Sequence, residues 1–350
     1  MPQGLSEAEQ IARFAHERLR VAVTGVEAIP SGIGLRRFYR LRLLGAPGSA
    51  IARIDTPEDS ASRPADAAPE PPLEPVRALL ERSGLPVPRR YAADPARGIE
   101  LLEDAGSESL SDAFASRARE EGEALVAAAL DLVPRMQRLV DDRSGVAAFG
   151  RRLDAALFRY KAELFAGTSI AHALGRPPSA AESGVVTEAF DWIAAHCARA
   201  PQRFAHRDFQ SQNLILRRGP EATLTMIDLQ GAFLAPPEYD LVCLLRDSYL
   251  DLPEPLVRRE CGRIRPALPD APTPGDFALR FELLTLTRKG KDHARFLRAS
   301  QRGDLRYRRF LAPTAAMLRR AAGRTRDVAA PLARLAELVG ALPEEPRCAP

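Results

Sequence analysis

The spacing of apolar and polar residues separates a β-rich first part of the chain from a longer helical second part. Apolar residues at helical spacing follow the capping-box pair Ser6 and Glu9 and predict an amphipathic helix over residues 6–20. Short apolar runs from about residue 25 to residue 55, separated by Gly- and Pro-containing turns, predict two or three antiparallel strands. The other elements predicted in this part are a helix at 76–83 and strands at 88–93 and 98–104.

Beyond residue 109 the apolar pattern is mainly helical. Helices are predicted at 119–140, 151–166, 181–200, 239–250, 276–300, 307–322 and 328–342. Residues 204–229 interrupt them with a pattern of short strands. Because 350 residues exceed the usual size of a single core, we expect a small β-rich domain over 1–105 and a larger helical domain over 106–350.

Composition excludes several classes of function. No apolar run reaches the length of a membrane span, and the opening residues lack the regions of a signal peptide, so we expect a cytoplasmic protein. The net charge of +4 comes from interspersed residues without an aromatic-interleaved basic run, so nucleic acid is not an expected partner. Neither a membrane nor an obligate protein partner is expected. Four cysteines at unrelated spacings indicate free thiols.

The strongest chemical signal is the segment from His206 to Asn213, which has the H-R-D-x-x-x-x-N spacing of a kinase catalytic loop. Phosphoryl transfer from ATP requires a carboxylate that faces the acceptor hydroxyl, and Asp208 occupies that place in the motif. His206 is expected to be a buried structural residue. Asp208 is therefore the predicted catalytic residue.

Two oxygen donors at the ends of a predicted hairpin fit a magnesium site. Asn213 precedes the apolar run LIL, and Asp228 ends the run TMI. Pairing of these runs across the turn at 217–220 brings both side chains to one end of the hairpin. Mg²⁺ prefers carboxylate and amide oxygens, so Asn213 and Asp228 are the predicted metal ligands.

For the nucleotide phosphates, the first part of the chain offers a glycine turn and arginines but no lysine. Gly32 and Gly34 lie in a turn between predicted strands, and Arg37 stands where the third glycine of G-x-G-x-x-G would fall. Kinases normally place a phosphate-binding lysine on the third strand, whereas the lysines of this chain lie at 161, 289 and 291. An arginine must replace it, and Arg53 on a predicted strand and Arg37 in the turn are the two candidates.

At this point the chain resembles the aminoglycoside phosphotransferase and choline kinase-like superfamily, and within it the bacterial kinases of N-acetylmuramate and N-acetylglucosamine. The segments that carry the resemblance are LRRFYRL at 35–41, IDTP at 54–57, LPVPRRYAADPARGIELLEDAG at 85–106, HRDFQSQNLIL at 206–216, IDLQGA at 227–232, YDLVCLLRDSY at 239–249 and, more weakly, LTRKGKDHARF at 286–296. They span nearly the whole chain.

The resemblance implies an α+β, protein kinase-like two-lobed fold and the cofactors ATP and Mg²⁺. It implies that Asp208 is the base, that Asn213 and Asp228 bind the metal, and that Leu102 and Glu103 belong to the hinge on which adenine rests. The acceptor would be the anomeric hydroxyl of an amino sugar in cell-wall recycling. Asp240 of the YDL motif would steady the catalytic loop.

Two other functions remain open on the sequence alone. A kinase of an aminoglycoside or choline-like amine would need an acidic pocket. Residues 155–199 and 277–298 instead have mixed sign with many arginines, which favours a neutral or anionic sugar. The missing lysine allows a nucleotide-binding pseudokinase. Retention of Asp208, Asn213 and Asp228 at kinase spacing argues against that alternative.

Overall fold

The computed structural model describes residues 6–30, 37–54, 71–217, 223–250 and 252–343. Its internal contacts divide the chain into two compact units. The first comprises Met1–Pro71, Pro86–Ser107 and Ile215–Ile227, and the second comprises Pro72–Leu85, Glu108–Leu214 and Asp228–Pro350. The sequence predicts one boundary, after residue 105. In the structure the helical segment Pro72–Leu85 belongs to the second unit, and the hairpin segment Ile215–Ile227 belongs to the first.

The first unit contains a helix and an antiparallel sheet. Helix α1 (Glu7–Leu19) begins at Ser6, whose side chain accepts from Glu9 N while Glu9 reaches back to Ser6 N, so the predicted capping box is confirmed. The strands are β1 (Ala22–Ile29), β2 (Arg37–Leu44), β3 (Ser49–Ile54), β4 (Arg90–Asp94) and β5 (Ile99–Glu103), in the order β1-β2-β3-β5-β4. Ile11 and Phe14 of α1 belong to one buried core with Leu41, Ala52 and Leu101 of the sheet.

A second, two-stranded sheet pairs β7 (Leu214–Arg217) with β8 (Thr223–Met226). Five residues join these strands, which is too short for a parallel crossover, so they run antiparallel. The backbone N–H of Met226 donates to the carbonyl of Pro86 at 2.8 Å and ties the hairpin to the rest of the first unit.

The second unit is mainly helical. Its helices are α2 (Val76–Arg82), α3 (Leu110–Ser116), α4 (Arg119–Leu130), α5 (Leu132–Gln137), α6 (Ala155–Phe165), α7 (Ala171–Leu174), α8 (Ala180–Ala198), α9 (Tyr239–Leu245), α10 (Glu254–Ile264), α11 (Pro274–Gln301), α12 (Leu311–Thr325) and α13 (Ala330–Gly340), with strands β6 (Arg203–Ala205) and β9 (Phe233–Ala235) paired antiparallel. The helix predicted over 119–140 is divided at Asp131, because Pro134 lacks the N–H that would continue it. None of the helices in the described ranges combines the length and hydrophobicity that a membrane span requires.

Helix α11 is the central element of the second unit. It has 28 residues and packs against α6, α9 and α12. A side-chain carbon at Gly290 would lie only 3.2 Å from Cγ of Phe165, so α11 and the end of α6 approach each other across a position without a side chain. The close approach of Gly290 to the ring of Phe165 restricts the rotation of α11 about its own axis.

A buried ion pair joins α11 to the start of α9. Arg280 donates from Nε and Nη2 to the two carboxylate oxygens of Glu238 at 3.0 and 2.8 Å, and the Glu238 side chain has no exposed surface. This is the bidentate geometry in which a guanidinium matches a carboxylate best. The pair therefore holds α9 against α11.

Removal of the arginine tests this contribution. Arg280→Met is expected to lower the free energy of unfolding by about 3–5 kcal/mol, because it leaves Glu238 as an uncompensated buried charge. Urea denaturation followed by circular dichroism measures the change. The matched control is Arg334→Met, whose ion pair with Glu188 is about half exposed and should contribute less than about 1 kcal/mol. Equal losses for both variants would contradict the role of the buried pair.

Candidate active site

The segment from His206 to Asn213 follows β6 and is held by a buried carboxylate on α9. Asp240 accepts the backbone N–H of His206 at 2.7 Å and that of Arg207 at 3.1 Å. Arg207 adopts a φ of 78°, a left-handed conformation that costs free energy in a residue with a side chain. Burial raises the pKa of Asp240 to about 6, against the stabilising effect of His206 and these hydrogen bonds. The loop-steadying role that the resemblance implies for Asp240 is thus present in the structure.

A second carboxylate, which the sequence analysis did not identify, holds the end of this loop. Asp247 accepts from both the backbone N–H and the hydroxyl of Ser211 at 2.6 Å, and from the N–H of Tyr249 at 3.0 Å. Asp247 lies seven residues after Asp240, just beyond the end of α9, within the segment YDLVCLLRDSY. That spacing was the only signal by which it could have been found.

Asn213 ends the loop with its amide in a defined orientation. Its Nδ2 donates to the carbonyl of Asp208 at 2.8 Å, and within the described residues its Oδ1 accepts no hydrogen bond. The amide nitrogen is therefore engaged within the loop, whereas the amide oxygen is available as a ligand for a cation.

Asp228 follows β8 and lies at the same end of the β7–β8 hairpin as Asn213. It has a φ of 64°, and its Oδ1 accepts from Nε2 of the buried Gln230 at 2.5 Å. The next residues run against the catalytic loop, since a side-chain carbon at Gly231 would lie 3.8 Å from Oδ2 of Asp208. Asn213 and Asp228 thus present the amide and carboxylate oxygens that suit Mg²⁺.

Asp208 forms an ion pair with Arg288 of α11. Nη1 of Arg288 lies 2.9 Å from Asp208 Oδ1 and 2.8 Å from the carbonyl of Arg207, and Nη2 lies 3.4 Å from Gln210 Oε1. The Arg288 side chain is 3% exposed, whereas that of Asp208 is 31% exposed. The carboxylate is therefore fixed from inside the protein and open on its outer side.

The surrounding cations keep Asp208 ionised. Burial opposes ionisation, but the charges of Arg288, Lys291 and Arg207 outweigh it and hold the pKa of the carboxyl well below its usual range. A carboxylate of such low pKa is a weak base at neutral pH. Its geometry and charge suit it to orient an acceptor hydroxyl and to accept the proton late in the transfer.

Arg288 is a further residue of the candidate site that the sequence analysis missed. It lies 80 residues from Asp208 in the chain. Its segment, LTRKGKDHARF, carries only a weak resemblance to the superfamily. The apolar pattern predicted the helix but gave no reason to single out one of its many arginines.

The predicted nucleotide-binding residues belong to the first unit. Arg53 on β3 is 4% exposed, and its Nη1 lies 2.5 Å from Oε2 of Glu100, its cross-strand partner on β5. Arg37 begins β2, is half exposed and pairs with Glu7 of α1 at 2.6 Å.

The end of β5 carries the two predicted hinge residues. Leu102 is buried, and the carboxylate of Glu103 accepts from the backbone N–H of Arg89 and from Nη2 of Arg217, both at 3.1 Å. Gly32 and Gly34 lie outside the described residues. The described residues contain no group of three or more His, Cys, Asp or Glu side chains placed to hold a metal. Asn213 and Asp228 form a smaller set and stay the predicted ligands.

Comparison with solved structures places the fold. The structure of choline kinase LicA from Streptococcus pneumoniae superposes with a TM-score of 0.58 at 15% identity, over 89% of this chain and 100% of that chain. The gentamicin complex of APH(2″)-IIa gives a TM-score of 0.58 at 14% identity, over 90% of this chain and 96% of that chain. These likenesses confirm the predicted protein kinase-like fold, with a small antiparallel sheet and a larger helical part.

Comparison of sequences places the family. An N-acetylmuramate/N-acetylglucosamine kinase of Pseudomonas aeruginosa is 28% identical over 330 residues, which cover 92% of this chain and 90% of that protein. One of Neisseria meningitidis serogroup B is 29% identical over 315 residues, 87% of this chain and 88% of that protein. The profile of the phosphotransferase enzyme family matches residues 25–271. The chain therefore belongs to the phosphotransferase enzyme family, as a small-molecule kinase that transfers phosphate to a hydroxyl group.

Proposed function

We propose that this enzyme uses ATP and Mg²⁺ to phosphorylate a hydroxyl of an amino sugar, namely the anomeric hydroxyl of N-acetylmuramate or N-acetylglucosamine. The observation that carries the chemistry is the ionised Asp208, held by Arg288 and open on its outer side. The sugar is supported by the names of two relatives that match about nine-tenths of the chain. A cytoplasmic location and a role in cell-wall recycling accord with this substrate.

Asp208 acts on the acceptor. Its free side accepts the hydrogen bond of the sugar hydroxyl and aims the oxygen at the γ-phosphorus of ATP. The proton passes to the carboxylate as the new P–O bond forms and the bond from the γ-phosphorus to the bridging oxygen breaks, which releases ADP. The transition state of phosphoryl transfer is loose, so little negative charge is needed on the attacking oxygen beforehand. A weak base in a fixed position is sufficient for that reason.

Asn213 and Asp228 would hold the magnesium ion. The ion supplies charge neutralisation at the phosphates of ATP when it is bound. Asn213 donates a hydrogen bond to the carbonyl of Asp208, and Asp228 accepts one from Gln230. Both ligand side chains are thus already oriented before a metal ion binds.

Arg53 is the residue we assign to the phosphates in place of the kinase lysine, with Arg37 as the alternative. Arg53 is buried on a central strand and already oriented by Glu100, whereas Arg37 is half exposed at a strand end. Gly32 and Gly34 would cover the phosphates, and the strand end at Leu102 and Glu103 would receive adenine. A guanidinium binds phosphate oxygens in pairs, which suits this role.

A cationic acceptor is the less favoured alternative. Aminoglycosides and choline-like amines carry positive charge, and the groups that act on Asp208 most strongly are the cations Arg288, Lys291, Arg207 and Arg295. Like charge at the acceptor side would repel such substrates.

Product formation tests the function. The purified protein with Mg-ATP and either sugar is expected to yield the sugar 1-phosphate, identified by mass spectrometry and by phosphorus NMR. Asp208→Asn should lower kcat by about 10²- to 10⁴-fold, because the amide cannot accept the proton, while ATP binding measured by calorimetry stays close to the wild-type value. Asp191→Asn, which removes a surface acid paired with Arg159, is the matched control. Absence of any sugar phosphate from the wild-type enzyme would refute the proposed acceptor.

The metal assignment predicts a change in magnesium dependence. Asn213→Ala and Asp228→Asn should raise the Mg²⁺ concentration required for half-maximal rate by about tenfold or more, because each removes a ligand or its charge. Titration of Mg²⁺ at saturating ATP measures this. Variants whose rates fall at every Mg²⁺ concentration without a shift of the midpoint would argue that the residues serve another purpose.

The ion pair at Asp208 predicts a change in the pH profile. Arg288→Met removes the largest attractive charge, so the pKa of Asp208 should rise and its proton should be retained at higher pH. The acid limb of kcat/KM should therefore move to higher pH than in the wild type, with Arg288→Lys between them. An acid limb at the wild-type position in Arg288→Met would show that this pair does not set the ionisation of Asp208.

A further inference from the structure

Helix α11 presents a row of cations beginning at the catalytic carboxylate. Arg288, Lys291 and Arg295 follow at intervals of three and four residues and so lie along one face of the helix. The positive charges of all three act on Asp208. The mechanism above uses only Arg288, which leaves Lys291 and Arg295 without a function.

The single acid within this row, Asp292, is shared. Its Oδ2 lies 2.8 Å from Nζ of Lys289 and 3.4 Å from Nε of Arg288, and its Oδ1 lies 3.4 Å from Nζ of Lys291. Lys289 also donates to the hydroxyl of Ser248 at 3.1 Å and is thereby well satisfied. Arg288 also pairs with Asp208, so two of the three cations that share Asp292 have a second partner.

Lys291 is the cation that this arrangement leaves short of partners. Within the part of the chain that the structure describes, its ammonium makes no hydrogen bond, only the 3.4 Å contact with Asp292. Its side chain is 10% exposed, so the buried group still reaches the surface. A nearly buried ammonium without hydrogen bonds is costly unless a ligand supplies acceptors.

The charges that face Lys291 favour an anion as that ligand. Burial lowers the pKa of Lys291 to about 7, with further lowering by Arg288 and Arg295 and an opposing effect of Asp292 and Asp208. From α6, Lys161 also faces it. Lys161 lies with Nζ 5.3 Å from the ring centres of both Phe158 and Tyr239, and it has no hydrogen-bond partner among the residues that the structure describes. Burial lowers its pKa well below the usual value.

We propose that Lys291 recognises a carboxylate on the acceptor, so that the enzyme prefers a sugar acid to the corresponding neutral sugar. The ammonium lies one helical turn from Arg288, which holds the residue that aims the acceptor hydroxyl. This inference rests on the proposed function and deepens it. N-Acetylmuramate and N-acetylglucosamine differ by a carboxylate-bearing ether group, and they serve as the matched pair of probes.

The experiment compares kcat/KM for the two sugars at saturating Mg-ATP. In Lys291→Met the ratio of N-acetylmuramate to N-acetylglucosamine should fall by about ten- to a hundredfold, as expected for loss of a charged hydrogen bond. The change should lie in KM for the acid, and Lys291→Arg should restore much of the ratio. Arg302→Met, which removes an exposed charge at the end of the same helix, is the control for net charge and should leave the ratio unchanged.

A pH series supplies a reading that a merely structural role would not change. Calorimetric binding of N-acetylmuramate to the wild type should weaken between about pH 6 and pH 8.5, as Lys291 loses its proton in the free enzyme, whereas binding of N-acetylglucosamine should stay level. In Lys291→Met both series should be level. The sugar carboxylate stays ionised throughout this range.

Each outcome has one meaning. An unchanged ratio in a folded Lys291→Met enzyme, or a wild type that prefers the neutral sugar, overturns the inference and leaves the proposed function intact. Equal loss for both sugars with a raised KM for ATP assigns Lys291 to the nucleotide phosphates and likewise overturns it. A wild type that neither binds nor phosphorylates either sugar refutes the proposed function itself, and the inference with it.

Discussion

The candidate active site depends on buried carboxylates that bind backbone N–H groups of the catalytic loop. Asp240 fixes its beginning and Asp247 its end, with contacts of 2.6 to 3.1 Å. Charge-assisted hydrogen bonds of this kind are about twice as strong as neutral ones. They offset the strain of the left-handed Arg207, which places Asp208 beside Arg288. The predicted catalytic carboxylate is thus positioned by two other carboxylates that bind the backbone of the loop.

Arg288 connects this loop to the helical core. Its guanidinium donates both to the side chain of Asp208 and to the backbone carbonyl of Arg207. Helix α11 is itself held by the ion pair between its Arg280 and Glu238. The same cation fixes the position of Asp208 and makes the largest favourable contribution to its ionisation. A substitution there alters geometry and electrostatics together, which is why the position of the pH limb, rather than the rate alone, reports on the charge.

The sequence predicted those parts of the site that lie close together in the chain. Asp208 and Asn213 were predicted from local spacing, and so was the capping box at Ser6 elsewhere in the fold, because a loop or helix start is determined by a few neighbouring residues. Most helices were predicted within a few residues, since long apolar periodicity reflects burial of one face.

Contacts between distant segments were not predictable in this way. The pairing of Arg53 with Glu100 requires the register of β3 and β5, and that of Arg288 with Asp208 requires the rotation of α11. Neither quantity is encoded in the spacing of apolar residues alone. Ile215–Ile227 belongs to the first unit for the same reason. Where this hairpin packs depends on how its strands pair and on contacts with distant residues, not on its own apolar spacing alone.

Gly290 limits how the length of α11 can change. Each residue advances an α-helix by about 100°, so one residue inserted between Arg280 and Arg288 would turn the following side chains by more than a quarter of a circle. Arg288 and Lys291 would leave their side of the helix, and another side chain would be driven into the ring of Phe165, 3.2 Å from the place of a new carbon. Insertions and deletions should accumulate in the loops of related sequences and be absent from this stretch.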